Sequence, residues 1–150
     1  MMNNYSFVCR TMQETDIDRV IPLYIDYYNT HEEGQWTRET TYKRIHQVWG
    51  REDSLCLILE DGNTPIGFAM GYFEQYDDLK AYDLIEIFIT HDFQNQGIGT
   101  VFMAEIEARA KSLGAAMVQL QAVNDAMHER FYGKLGYKNA TNFVLKTKWL

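Results

Sequence analysis

Long hydrophobic runs, proline and cysteine are all scarce in this chain of 150 residues, and each scarcity removes a class of protein. No apolar run approaches the roughly 20 residues of a membrane span. The opening Met1-Met2-Asn3-Asn4-Tyr5 lacks the basic and apolar regions of a secretory signal, so a cytoplasmic protein without a membrane anchor is expected. Only two prolines occur, and no Pro/Gly/Ser-rich stretch, repeat or low-complexity tract interrupts the chain. Residues 1–150 therefore read as a single domain. The two cysteines, Cys9 and Cys56, each sit in an apolar stretch that reads as a strand, which points to reduced, buried thiols.

Positive charge is also in short supply. Fourteen Lys and Arg stand against 21 Asp and Glu, a formal charge of −7, and no basic cluster stands out. Nucleic acid is excluded as a partner on that ground. The four histidines are scattered, and His31-Glu32-Glu33 lacks the second histidine of a zinc-protease helix, so no metal site is expected.

What the chain does have is 46% hydrophobic and 14% aromatic residues, enough for a well-packed core. Phe7 to Met12 reads as a strand, and Thr15 to Asp18 as a capping box opening a helix that Pro22 should kink or delay. A second helix runs from about Thr37 to Trp49, with Tyr42, Ile45, Val48 and Trp49 on one face. Ser54–Glu60 and Ile66–Phe73 form a hairpin around Asp61-Gly62-Asn63-Thr64. Tyr82–Thr90 is the strongest strand, rich in β-branched and aromatic residues. A long helix covers Gly97 to Leu113, its apolar face made by Met103, Ile106, Ala110 and Leu113, and Gly114 ends it. Ala116–Ala122 is a strand, Ala126–Leu135 a shorter helix, and Tyr137–Leu150 one or two final strands. The resulting order, β-α-α-β-β-β-α-β-α-β-β, describes an α/β (α+β) protein with a mixed sheet flanked by helices.

The most informative stretch is Gln94-Asn95-Gln96-Gly97-Ile98-Gly99-Thr100, between the strongest strand and the longest helix. Glycines let the backbone turn tightly and approach a ligand, and a helix N-terminus presents free N–H donors suited to pyrophosphate. A dinucleotide fingerprint would need a third glycine where Phe102 stands, and a P-loop would need a lysine directly after Gly99. Neither is present. The pattern left, Gln/Arg-x-x-Gly-x-Gly/Ala after a strand, resembles that of the GCN5-related N-acetyltransferase (GNAT) family. Ile87-Phe88-Ile89 followed by Gln94, the later Phe131-Tyr132-Gly133-Lys134-Leu135-Gly136-Tyr137, and the element order resemble the same family over nearly the whole chain. Gln94 stands where arginine is common, and Asn124 lies one residue farther from Tyr132 than is usual, which leaves Asp125 at the usual spacing.

The resemblance implies a mostly antiparallel sheet of six to seven strands with about four helices, and transfer of an acetyl group from acetyl-CoA to a primary amine. Cofactor contacts are then expected at Ile87, Phe88, Ile89, at 94–100, and at Asn124, Phe131 and Tyr132. It further implies that Tyr132 stands near the CoA sulfur as general acid, that backbone N–H groups of Phe88 or Ile89 are exposed where strands splay, and that Phe143–Leu150 sits at a homodimer interface.

An amine attacks a thioester only as the neutral base, so the site also needs a proton acceptor. Glu86, the one acid inside the Leu84–Ile89 apolar run, is a candidate; it either faces the cleft or is paired, against a place at a solvated sheet edge. His128, one helical turn before Tyr132, is the other candidate, against a surface or packing role. Tyr76, Asp77 and Asp78, in an acidic and aromatic segment before the strongest strand, are candidate contacts for a small cationic acceptor, or else a solvated loop. A non-catalytic acyl-CoA-binding or sensing module, or acetylation of a protein N-terminus or lysine, are the competing functions.

Overall fold

The computed structural model describes residues 6–150 as one sheet with helices on both faces. Five strands, β1 (Phe7–Thr11), β2 (Ser54–Asp61), β3 (Thr64–Gln75), β4 (Lys80–Ile89) and β5 (Met117–Leu120), lie in sequence order across the sheet. The first four pair antiparallel, and β5 joins β4 in parallel because a helical crossover separates them. No helix among the described residues is long and apolar enough to cross a membrane. Cys9 and Cys56 are free thiols, as expected, with Cys56 fully buried and its thiol pushed up to about 12 by that burial.

Helices α1 (Ile17–His31) and α2 (Arg38–Trp49) cover one face of the sheet. Ile17, Val20, Ile21 and Tyr24 of α1 and Ile45 and Val48 of α2 close over Cys56, Ile58, Phe68, Met70 and Phe88. Helix α3 (Ile98–Ser112) covers the other face, laying Ile98, Phe102, Met103, Ile106 and Ala110 on Leu57, Leu59, Ala69, Tyr82 and Leu84. Each large side chain buried this way contributes roughly 1.5–3 kcal/mol. The short α4 (Ala126–Lys134) buries none of its own residues.

Several local expectations need correction. The capping box is Gln13–Asp16, two residues earlier than Thr15–Asp18, because Asp16 is drawn inward by Arg10. Helix α1 begins at Ile17 and continues unbroken through Pro22, so its start is not delayed; the carbonyl left without its N–H partner belongs to Asp18, at an exposed position that water can reach. Tyr42 and Leu113, placed on apolar faces, are 43% and 51% exposed, and Thr41 and Phe102 are buried instead. Gly114, with φ of 97°, ends α3 as expected.

The largest departure concerns the end of the chain. Five strands form rather than six or seven, and residues 138–150 belong to none of them. Phe143, Val144, Leu145, Trp149 and Leu150 are each at least 73% exposed, so the segment packs on neither core and β5 keeps a bare outer edge.

One irregularity decides what β4 presents. Met70 pairs with Glu86 but Gly71 pairs with Leu84, so Ile85 is an extra residue, a β-bulge. Before it, Tyr82 and Leu84 point into the α3 side; strict alternation would send Glu86 there too. The bulge shifts the parity by one. Glu86 and Phe88 turn to the α1/α2 side, while Ile87 and Ile89 take the α3 side. Gly71, opposite the bulge, must be glycine: a Cβ there would stand 2.3 Å from the Asp83 carbonyl and 2.6 Å from the Tyr82 ring.

A charge cluster locks β1 and β2 to the start of α1. Arg10 binds both carboxylate oxygens of Asp16 at 2.8 Å and pairs with Glu60 through Nε, while Arg19 approaches Asp16 and Glu60 from the helix. Asp16 and Glu60 are 5% and 7% exposed, so these pairs are not mere surface contacts. The Arg10 guanidinium holds the Asp16 carboxyl down at about 2. A depressed carboxylate stabilises the fold at all pH above its unfolded value and loses that contribution as pH falls toward the folded one. Asp16→Asn should therefore lower stability by about 2 kcal/mol at pH 6 and by much less at pH 2.5, measured by denaturant unfolding across that range.

Candidate functional site

The loop that follows β4 is built by two left-handed residues. Thr90 closes the strand by donating its N–H to the Ile66 carbonyl at 2.8 Å, and a single turn, His91–Phe93, leads to Gln94. Asn95 (φ 59°) and Gly97 (φ 78°) then curl the backbone into the start of α3. Asparagine is among the few side-chain-bearing residues that tolerate this region. No side chain caps α3 and its first turn holds no acid, so the N–H groups of Ile98, Gly99 and Thr100 offer donors and partial positive charge. That combination suits an anion such as pyrophosphate. Gln94, standing where an arginine would bring a cation, instead donates its Nε2 to the Ile89 carbonyl at 2.9 Å and braces the loop against the strand.

Beside the loop lies a cleft of about 370 Å³. Its walls are Ile87–Ile89, the loop residues Gln94, Asn95, Gly97, Gly99 and Thr100, and His128, Phe131 and Tyr132 of α4. A Cβ on Gly99 would meet the Phe131 ring at 3.5 Å, so the absent side chain is what keeps the cleft open there. A second, smaller cleft of about 120 Å³ lies between α1, β4 and the chain after β5, with Tyr28, Glu32, Glu86 and Leu120–Val123 in its wall. The two clefts share Tyr27, Ile87, His128 and Tyr132.

Both clefts exist because β5 leaves β4. Pairing stops at Leu84–Leu120, five residues before β4 ends. Since Thr90 N–H bonds back to β3, alternation along the antiparallel pair sends Phe88 N–H to β3 as well, and turns Ile87 and Ile89 to the vacated side. The Gln94 contact to the Ile89 carbonyl lies on that side. The Ile89 N–H thus turns to the vacated side, whereas that of Phe88 is committed to the sheet; the Phe88 ring stacks on Tyr27 at 5.1 Å.

Glu86 is not a free carboxylate. Arg44 of α2 donates to its Oε1 at 3.0 Å, Tyr24 donates to the same oxygen at 3.3 Å, and Tyr28 donates to Oε2 in a short hydrogen bond. Burial, with Glu86 beside them, pushes the Tyr24 and Tyr28 phenols up, so they stay protonated donors. A carboxylate bound by three donors serves as an anchor for α1 and α2 more readily than as a proton acceptor.

His128 is better placed for that work. Asp125 caps α4 by accepting the His128 backbone N–H at 2.8 Å, and its Oδ1 lies 2.7 Å from His128 Nδ1. These bonds, the backbone one first, hold the Asp125 carboxyl below its usual range. An ionised carboxylate only accepts, so Nδ1 carries the hydrogen of that bond and Nε2 is the ring nitrogen left for another partner. Tyr132, one turn on, is a phenol pushed up by burial and therefore a retained proton donor.

Other expected residues fall elsewhere. Ile98 is buried in the core beneath the loop, Gln96 reaches back to the Asp92 carbonyl, and Asn124 lines neither cleft while Asp125 does the capping. Tyr76, Asp77 and Asp78 form the turn into β4, about 20 Å of strand away from Glu86. Tyr76 bonds there with Glu74 and Gln119, and none of the three meets Tyr132. Sequence reasoning missed Tyr27 and Glu32. The helical spacing of Tyr24, Tyr27 and Tyr28 was visible, but the strand they face was not. Burial, with Glu32 adding to it, pushes the Tyr27 phenol up to about 12.

The profile of the Acetyltransferase (GNAT) family matches residues 17–137. An uncharacterized N-acetyltransferase of Methanocaldococcus jannaschii is 23% identical over 139 residues, covering 89% of this chain; the chain spans 61% of that relative's length. A possible acetyltransferase from Clostridium difficile 630 superposes with a TM-score of 0.83 at 10% identity, over 96% of this chain and 98% of that one. An aminoglycoside N-acetyltransferase, AAC(6')-Iy in complex with CoA, gives 0.76 at 14% identity, over 99% and 98%. At these identities the structures establish a shared fold.

Proposed function

This chain belongs to the Acetyltransferase (GNAT) family, and on that premise we propose that it transfers an acetyl group from acetyl-CoA to the primary amine of a small cationic acceptor. The observation that carries this reading is the meeting of two clefts at His128 and Tyr132, one floored by an anion-binding helix start and the other walled by carboxylates.

The larger cleft fits acetyl-CoA. Gly97, Gly99 and the N–H groups of the first turn of α3 would hold the pyrophosphate, with Phe131 packing alongside. Bound acetyl-CoA supplies an activated acetyl thioester; the other requirements fall to the protein. His128 Nε2, oriented by Asp125, accepts the proton of the attacking amine. The N–H of Ile89, with that of Ile87, offsets negative charge developing on an oxygen. The Tyr132 hydroxyl donates to the departing sulfur. The smaller cleft is lined by Glu32 and Glu86 and by no Lys or Arg. Arg44 balances Glu86 from behind, which leaves Glu32 as the uncompensated carboxylate for an ammonium group. Asp77 and Asp78, in the turn before β4, add a negative field that steers cations without touching them.

Release of free CoA from acetyl-CoA against a panel of amines tests the whole reading. Turnover with cationic amines is expected. Tight acetyl-CoA binding without CoA release for any amine, peptide or protein would mark a binding or sensing module instead.

Five variants separate the parts. Gly99→Val should weaken acetyl-CoA binding at least tenfold by calorimetry, since its methyl groups must enter the space below Phe131. Tyr132→Phe should lower kcat by roughly 10²-fold with acetyl-CoA affinity kept; Asp125→Ser, which retains a helix cap but not the ring partner, should lower kcat about tenfold with little loss of thermal stability. Glu32→Gln should raise KM severalfold for a cationic acceptor and leave a neutral one unchanged, whereas Asp77→Asn/Asp78→Asn should act only at low salt.

A further inference from the structure

Residues 32–37, which join α1 to α2, are folded more tightly than a link between two helices needs to be. Glu32 donates its N–H to the Tyr28 carbonyl at 3.2 Å, and Gly34 donates to the same oxygen at 2.9 Å. Between them Glu33 takes a left-handed conformation, φ 58°, which glutamate rarely adopts. A residue in that region stays there only when its surroundings hold it.

Asn29 supplies the hold. Its Oδ1 accepts the Trp36 N–H at 2.8 Å and its Nδ2 donates to the Trp36 carbonyl at 2.8 Å, so one side-chain amide closes both backbone groups of one residue. Trp36 in turn stands edge-on to Tyr24, with 5.1 Å between ring centroids, and Tyr24 donates to Glu86. The inside of the turn is full: a Cβ on Gly34 would stand 2.9 Å from the Trp36 ring and 3.0 Å from both Asn29 Oδ1 and the Tyr28 carbonyl. Thr37 then caps α2 by accepting the Thr40 N–H at 3.1 Å. The consequence falls on Glu32, the residue of this connection that lines the smaller cleft. Its backbone is fixed by Tyr28 on one side and by the closed turn on the other.

We propose that Asn29 is a positioning residue: by holding the α1–α2 connection closed it fixes Glu32 and keeps the smaller cleft narrow. The cleft then admits an amine carried on an unbranched methylene chain and rejects one on a branched carbon, a role that rests on the acetyl-transfer reading above and adds the shape of the acceptor to it. A volume of about 120 Å³ holds roughly four waters at ~30 Å³ each, and so an ammonium with a few methylenes. Charge alone would not make this distinction, since Glu32 and Glu86 attract both kinds of amine. A branched carbon brings its extra atoms in beside the nitrogen, where only a wall that gives could take them. The opposite wall, His128 and Tyr132, also faces the larger cleft, so a ligand held there backs it.

Two diamines of equal charge test this: a butane diamine with its nitrogens at the chain ends, and a cyclohexane diamine with its nitrogens on ring carbons. Wild type should favour the butane diamine by about a hundredfold in kcat/KM. Asn29→Ala should bring that preference below about tenfold, mainly through KM, with acetyl-CoA affinity by calorimetry unchanged. Gly34→Ala, which forces the same turn open from inside, should do likewise. A wild type that uses both diamines alike overturns the proposal. So do variants that lose activity on both in proportion, which is what a merely structural role would give. Should neither variant fold, hydrogen exchange on the wild type decides: Trp36 and Gly34 amides protected to the level of α1 are expected, and exchange at the rate of an open loop overturns the role. Failure of every amine to release CoA would instead refute the proposed activity. Dissociation constants of the two diamines, measured by calorimetry on wild type and Asn29→Ala, then decide in place of kcat/KM. Unequal affinities in wild type that become equal in the variant uphold the positioning role; any other pattern, including no binding of either diamine, overturns it.

Discussion

Much of this molecule follows from one extra residue in β4. The bulge at Ile85 changes which face the rest of the strand presents, and beyond the adjacent Leu84 β5 no longer pairs with it. Without the shift, Glu86 and Phe88 would enter the α3-side core, and Ile87 and Ile89 would lie under α1. A carboxylate among Phe102, Met103 and Ile106 would have no partner there, a placement that costs several kcal/mol. Gly71 and Tyr82 make the bulge possible: the ring crosses where a side chain would stand and donates its hydroxyl to the Leu55 carbonyl at 2.6 Å.

The parting of β4 and β5 puts opposite electrostatics on either side of one short stretch of strand. Toward the loop, an uncapped helix start and backbone N–H groups favour negative charge. Toward α1, Glu32 and Glu86 favour positive charge, and Arg44 with two phenols holds the Glu86 carboxylate in place. Groups of both preferences converge on Ile87, His128 and Tyr132, where the two clefts meet.

The helix carrying two of those residues is the most lightly held. α4 is fixed at its start by Asp125, and at its end by the Tyr132 and Tyr137 rings and a Tyr137–Glu107 hydrogen bond of 3.2 Å. By contrast, α1 and α2 are tied to the sheet by the Arg10 and Glu86 clusters and by a continuous apolar layer. Local stability follows such contacts, so the α1/α2 wall is the firmer one and the α4 wall the yielding one.

The residues of the loop, its glycines and the helix behind it were legible in the sequence because they are local: the strand, the turn and the helix start adjoin along the chain. Tyr132 and His128 were legible for the same reason, sharing one helix face at a spacing of four residues. What Glu86 does was not, since its partners Tyr24, Tyr28 and Arg44 lie 62, 58 and 42 residues away and reach it only through the parity shift of a bulge. Asp125 stands beside Asn124 in the sequence, and only the cap geometry of α4 chooses between them. Likewise, the acidic turn at Asp77 and Asp78 adjoins β4 in the sequence, yet a strand rises about 3.3 Å per residue and carries it to the far end. Periodicity marked Phe143–Leu150 as a strand, but a strand exists only where another offers its edge, and that is settled by tertiary structure alone.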